Sequence, residues 1–221
     1  MSDVHGRVEA VEALRRREAR SRFDVVVVAG DIEGNGRTAA EVLAPLFGFG
    51  CPVAFVHGNW DRRLPYGETS GAVRAGAWHL HGRPLVVDGR AFVGFSGCRG
   101  GWGMNPVAVR MGTADEGAVV RENLREAVSA WAKLGIGEER TALVTHDRCP
   151  RAKQAFPGLR LHLFGHRHGF RRVETGGTTF VNVSAMDAGA EAGSYAVLRW
   201  DRDGAPAVER RELGTLSPGR G

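Results

Sequence analysis

Lysine is nearly absent from this chain: of 30 basic residues only Lys133 and Lys153 are lysines, so arginine carries the positive charge. Cysteine is scarce as well, with Cys51, Cys98 and Cys149 widely spaced and no C-x-x-C pair. That excludes a disulfide framework and a zinc ribbon, and it suits reduced thiols. No apolar run approaches the roughly 18 residues that a membrane-spanning helix needs, which argues against a membrane protein. The opening Met-Ser-Asp-Val-His-Gly has no basic leader followed by an apolar stretch, so no secretory signal is read and a cytoplasmic location is expected. There is no internal repeat and no linker that would divide the chain.

What is present suits one soluble domain. Hydrophobic residues make up 43% of the 221 and charged residues 25%. A chain this long buries well over half of its unfolded surface, so residues 1–214 are expected to form a single domain, with 215–221 a loose tail. The net charge is +5. Arginine grips phosphate bidentately, which fits a phosphorylated substrate, although clusters such as Arg15-Arg16-Arg17 also suit solvated faces. No continuous basic stripe interleaved with stacking aromatics is visible, so a small phosphorylated substrate, a nucleotide for instance, is favoured over nucleic acid.

Periodicity predicts an α/β chain. Residues 7–22 place Val8, Val11 and Leu14 at helical spacing, and 37–47 and 116–134 read as further helices. Strands are expected at 23–29, 52–57, 77–80, 84–87, 91–95, 141–145, 159–164, 171–175, 178–183 and 194–200, with one more possible before residue 213. The β-branched run Val25-Val26-Val27-Val28 is of the kind buried on both faces of a sheet. Residues 96–115 are glycine-rich and aperiodic, and they read as a loop over a substrate.

Acids and histidines gather at the ends of the apolar runs. Five short segments stand out: Asp3-Val4-His5, Gly30-Asp31, Gly58-Asn59-Trp60-Asp61, Thr145-His146 and Gly165-His166-Arg167-His168. Four of them directly follow a strand-like run, and groups at the carboxyl ends of strands converge on one edge of an α/β sheet. Imidazole, carboxylate and one amide, with no thiolate, suit Mn²⁺, Fe²⁺ or Zn²⁺. Seven ligands exceed what one ion takes. Two divalent ions sharing a carboxylate accommodate them, with a water deprotonated between the ions for attack on phosphorus.

In order and spacing these segments resemble the motifs of the calcineurin-like metallophosphoesterase superfamily: D-x-H, G-D, G-N-x-[D/E], [T/G]-H and G-H-x-H, spread over residues 3–168. The resemblance implies a four-layer αββα sandwich of two mixed β-sheets flanked by helices. It also implies a metal-dependent phosphoric ester hydrolase, with Asp3, His5 and His168 on the first metal, Asn59, His146 and His166 on the second, and Asp31 bridging. The resemblance also implies that Asn59 lies near a substrate phosphate oxygen. Asn59 and Asp61 are read as catalytic, and Arg62 and Arg167, which flank the motifs, as binding substrate phosphates; a protein phosphatase, a nuclease or a catalytically idle scaffold on the same fold is the alternative reading. The segment from Thr178 to Ser184 resembles the paired strands that follow G-H-x-H in the family.

Two positions depart from the pattern. The family has an apolar strand before D-x-H, where this sequence offers Met1 and Ser2, so Asp3 and His5 are expected at a fraying end. Trp60 stands where many members carry a histidine that protonates the leaving group. Indole has no useful pKa for that task, which favours leaving groups of low pKa and hence diesters. His57, His79, His81 and His162 read as structural.

Overall fold

The computed structural model describes residues 1–61, 71–97, 105–113, 115–183, 185–187, 193–201 and 206–214. Arg62, residues 98–104 and 114 of the expected substrate loop and the expected tail 215–221 lie outside the described residues.

A parallel sheet is built from β1 (Val26–Ala29), β2 (Val53–Val56) and β3 (Trp78–His79), in that order. A second, mixed sheet has six strands in the order β4-β5-β6-β7-β9-β8. They are β4 (Leu85–Val87), β5 (Arg90–Phe95), β6 (Thr141–Thr145), β7 (Leu161–Phe164), β8 (Arg171–Thr175) and β9 (Thr178–Asn182). Within it β5, β6, β7 and β9 run parallel, and β4 and β8 are antiparallel edges. The β8 edge bears exposed Arg171, Arg172 and Glu174, charges that discourage edge-to-edge association. β10 (Ser194–Arg199) and β11 (Ala207–Glu212) form a separate antiparallel ladder.

Alternation along the strands sorts their side chains into three cores, and the three cores define four layers. From β2, Val53 and Phe55 join Val11 and Leu14 of α1 (Val8–Arg17) and Val42 and Leu43 of α2 (Ala39–Leu43). Ala54 and Val56 point the other way, into a middle core with Phe92, Ala142, Val144, Leu161 and Leu163 of the second sheet. On the far face Val93, Phe95 and Leu143 pack beneath Val119, Leu124 and Ala127 of α5 (Glu116–Ala132). The structure is thus an α/β sandwich with sheets flanked by helices. The short helices α3 (Gly71–Arg74), α4 (Pro106–Met111) and α6 (Ala152–Ala155) complete the set among the described residues. Helix starts are chemically specified. Thr38 and Glu41 form a capping box on α2, and the Asp115 carboxylate accepts the Ala118 N–H at 2.6 Å on α5.

Among the described residues the β10–β11 ladder stands apart from the parallel β1-β2-β3 set. The expectation of a fraying start changes, because the opening residues are held in place. Ala29 N–H donates to Met1 O at 2.9 Å, Asp3 N–H donates to Gly30 O at 3.0 Å, and Ser2 bridges Ala185 in parallel. Ser2, Asp3 and Val4 are fully buried. Hydrogen bonds to β1 on one side and to residues 185–186 on the other hold Asp3 where a strand end would. The expected loop also contains a helix, α4, begun by Asn105, whose side-chain oxygen accepts the Val107 and Ala108 N–H groups.

Leu143 is fully buried between β6 and α5, whereas Val86 is 46% exposed. Leu143→Ala should cost about 2–5 kcal/mol in urea unfolding and Val86→Ala little; equal effects of the two would show that the outer core is not packed as described.

Candidate metal centre

The loops after β1, β2, β6 and β7 meet at one edge of the sandwich and bring the sequence-marked side chains into two adjoining groups. In one, ligand atoms of Asp3, His5 and His168 lie within 4.8 Å of one another; in the other, those of Asp31, His146 and His166 do. Asp31 lies between the groups, with Oδ2 at 3.2 Å from His146 Nε2 and 3.8 Å from His5 Nε2. Asn59 adds its Oδ1 at 3.1 Å from His146 Nε2. Each group draws on both sides of the sandwich: Asp3 and His5 are hydrogen-bonded to Gly30 and Asp31 at the end of β1, and Asp31 and Asn59 follow β1 and β2, while His146, His166 and His168 follow β6 and β7.

Backbone geometry at these positions is unusual. Asp3, His5, Asp31, His166 and His168 all have φ between 46° and 70°, a left-handed conformation uncommon outside glycine. It costs roughly 1–2 kcal/mol per residue and is held here by surrounding hydrogen bonds. Val4 and His5 N–H donate to Asp31 O at 2.7 and 3.0 Å, and His166 N–H donates to Asp3 Oδ2 at 3.0 Å. Glycine is required where these loops touch: a Cβ on Gly58 would lie 2.1 Å from Asp31 Oδ1, and one on Gly165 would lie 2.7 Å from Asp3 Oδ2.

The donor set fits divalent cations. Asp3 Oδ1 and His5 Nε2 are buried and have no hydrogen-bond partner, a state costly for a buried polar atom. At the second group His146 Nδ1 faces Ala29 O at 2.8 Å, which leaves Nε2 directed at two acceptors, Asn59 Oδ1 and Asp31 Oδ2. Burial alone would push His146 down, yet the Asp31 carboxylate raises it to about 9. Burial likewise opposes the Asp31 anion, but His146 and the Trp60 N–H, 2.8 Å from Oδ1, hold its pKa below the usual range. A proton on His146 thus takes the place where these lone pairs converge, and a cation replaces it by the same electrostatics.

The remaining positions are more dispersed. Asp61 is 1% exposed, and its oxygens are taken by backbone: Oδ1 accepts from Ile32 and Glu33 N–H at 2.8 and 2.9 Å, and Oδ2 from Gly58 N–H at 2.8 Å. Burial pushes its carboxyl up to about 6 against those donors. The Arg167 side chain is exposed beside the centre. Trp60 is 63% exposed, its ring edge-on to His5 at 5.2 Å between centroids. His57, His79 and His162 are buried in the core, with His79 Nε2 at 2.8 Å from Ser96 Oγ and His162 Nε2 at 2.8 Å from Thr145 Oγ1. Sequence reasoning missed Asp187, whose carboxylate lies 3.5 Å from His5 Nε2 and 3.3 Å from His168 Nδ1. The available signal was an acid shortly after β9, the placement that marks the other residues of the centre.

Such a pair of histidine–carboxylate groups at the carboxyl edge of a layered α/β sandwich defines a class, the metal-dependent phosphoesterases. Residues 1–203 match the calcineurin-like phosphoesterase superfamily domain, and the chain belongs to that family. Among solved structures, the protein TT1561 of Thermus thermophilus is similar with a TM-score of 0.63 and 14% identity, over 96% of each chain. A Staphylococcus aureus protein provisionally assigned as a 5′-nucleotidase, solved with alpha-ketoglutarate, aligns with a TM-score of 0.59 and 11% identity, over 98% of this chain and 54% of that one. At these identities the likenesses show the fold. No curated protein gives a significant sequence match. Among the described residues no helix is long and apolar enough to cross a membrane.

Asp61→Asn would set an amide against three N–H donors. Urea unfolding of the metal-free protein should show a loss of about 1–3 kcal/mol; unchanged stability with activity alone lost would instead place Asp61 in contact with the reacting groups.

Proposed function

We propose that the chain is a dinuclear-metal phosphoesterase, formed by one domain over residues 1–214, that prefers small phosphodiesters, nucleotides among them. The observation that carries this reading is the placement of Asp31 between the two histidine–carboxylate groups. Asp3, His5 and His168 would hold one ion and His146, His166 and Asn59 a second, with Asp31 within reach of both groups. Mn²⁺ is the favoured metal, with Fe²⁺ or Zn²⁺ also compatible with nitrogen and oxygen donors. When bound, two such ions supply a water deprotonated near neutral pH and spread the charge that develops on phosphorus.

The chain's own groups then bind and orient. The Asn59 amide and the exposed Arg167 flank the centre and offer N–H donors to phosphate oxygens. Asp61 holds the Asp31 and Gly58-Asn59 loops together through their backbone, so its contribution to catalysis is positional. Trp60 offers no proton to a leaving group. Its exposed indole instead presents an apolar face to the organic part of a substrate, and esters with leaving groups of low pKa need no protonation.

The test is Mn²⁺-dependent hydrolysis of an aryl phosphodiester beside the matching monoester. Wild type should cleave the diester faster, and Asp31→Asn should lose more than about 100-fold, beyond the loss typical of a supporting residue; turnover that survives the substitution sinks the shared-carboxylate reading. Restoring a proton donor with Trp60→His should favour esters with poorer leaving groups by up to about 100-fold relative to aryl esters. An unchanged ratio would mean that protonation of the leaving group is not what position 60 controls.

A further inference from the structure

Asp187 stands outside the five motif segments, yet its carboxylate contacts both histidines of the first group. Oδ1 lies 3.3 Å from His168 Nδ1 and Oδ2 lies 3.5 Å from His5 Nε2. The side chain is only 14% exposed, and Oδ1 is buried without a hydrogen-bond partner that meets ordinary geometry. Backbone contacts to the opening segment secure the placement of the residue. Met186 N–H donates to Ser2 O and Asp3 O, each at 3.2 Å, and the Arg7 guanidinium donates to Asp187 O at 2.6 Å. The segment carrying Asp187 is therefore pinned to the segment carrying Asp3.

His168 has carboxylates at both ring nitrogens. Nε2 faces Asp3 Oδ1 at 3.3 Å, on the side where Asp3 and His5 converge, and Nδ1 faces Asp187. An imidazole binds a cation through one nitrogen only when the other carries the proton, and a carboxylate at that other nitrogen fixes both the tautomer and the ring orientation. The rings of His5 and His168 lie 5.5 Å apart at 24°, so one carboxylate reaches both. His168 needs this support most, being 38% exposed at its side chain whereas Asp3 is fully buried.

We propose that Asp187 is a positioning residue of the first metal pocket: it holds the Nδ1–H of His168 so that Nε2 is presented beside Asp3, and it adds negative charge next to His5. This rests on the metal-centre reading above. Loss of the carboxylate weakens one of the two metal sites and leaves the other intact.

The experiment titrates chelator-stripped wild type, Asp187→Ala and Asp187→Asn with Mn²⁺, following free Mn²⁺ by electron paramagnetic resonance, alongside the melting temperature of each metal-free protein. Wild type should bind two ions per chain. Asp187→Ala should keep one site and weaken the other by about 10–100-fold, and Asp187→Asn, which retains an acceptor oxygen for the Nδ1–H, should fall between. In long-range ¹H–¹⁵N spectra of the Zn²⁺-loaded wild type, His168 should carry its proton on Nδ1. This reading does not depend on how well either variant folds. Two ions bound with wild-type affinity by both variants, or His168 with Nδ1 unprotonated in the wild type, would overturn the role of Asp187. Wild type that takes up no ion would overturn the metal centre itself, a separate outcome.

Discussion

The position of the Asp31 carboxylate is the constraint on which the rest of the centre depends. It is buried to 1% exposure, faces His146 on one side and His5 on the other, and receives the Trp60 N–H. A carboxylate in that position is stable only if opposite charge or N–H donors surround it. The structure meets this requirement by folding three loops around one side chain. The Asp3–His5 segment hydrogen-bonds to the backbone of Asp31, the Gly58-Asn59-Trp60 turn closes over its oxygens, and His146 approaches from the second sheet. The left-handed backbone at five of these positions is a direct cost of bringing short loops so close.

Since each histidine–carboxylate group takes members from both sides of the sandwich, the middle core sets the geometry of the site. Ala29 and Ala54 on the first sheet face Ala142 and Val144 on the second. Side chains this small let the ends of β1 and β6 approach, to the point where the Ala29 carbonyl itself orients the His146 ring. A bulkier layer would separate Asp31 from His146 even if every residue of the centre were kept. Cations bound there would in turn tie the sheets together, so metal binding and stability of the sandwich are coupled.

The buried histidines away from the centre show the opposite regime. Desolvation drives His57 and His162 down to about 3, so they stay neutral and act as polarisable core residues. His146 is just as buried but sits against a carboxylate and is raised instead. Residue type is the same in both cases, and the neighbouring charge decides the outcome.

Much of this was determined by sequence alone. The continuous apolar runs at β2 and β6 mark strands buried on both faces, and position directly after strand-like segments marks Asp31, Asn59, His146, His166 and His168, with Asp3 and His5 marked by their D-x-H pattern alone. Such features are legible because side-chain identity and apolar runs are local properties. Tertiary structure alone decided what depends on distances between segments. Asp187 faces His168 because residues 185–186 are hydrogen-bonded to Ser2 and Asp3, Asp61 serves backbone N–H groups because the Asp31 loop arrives beside it, and Asp3 is held firmly because β1 and Ala185 flank it. No local pattern encodes these approaches; they arise when two sheets pack and bring the ends of their strands to one edge.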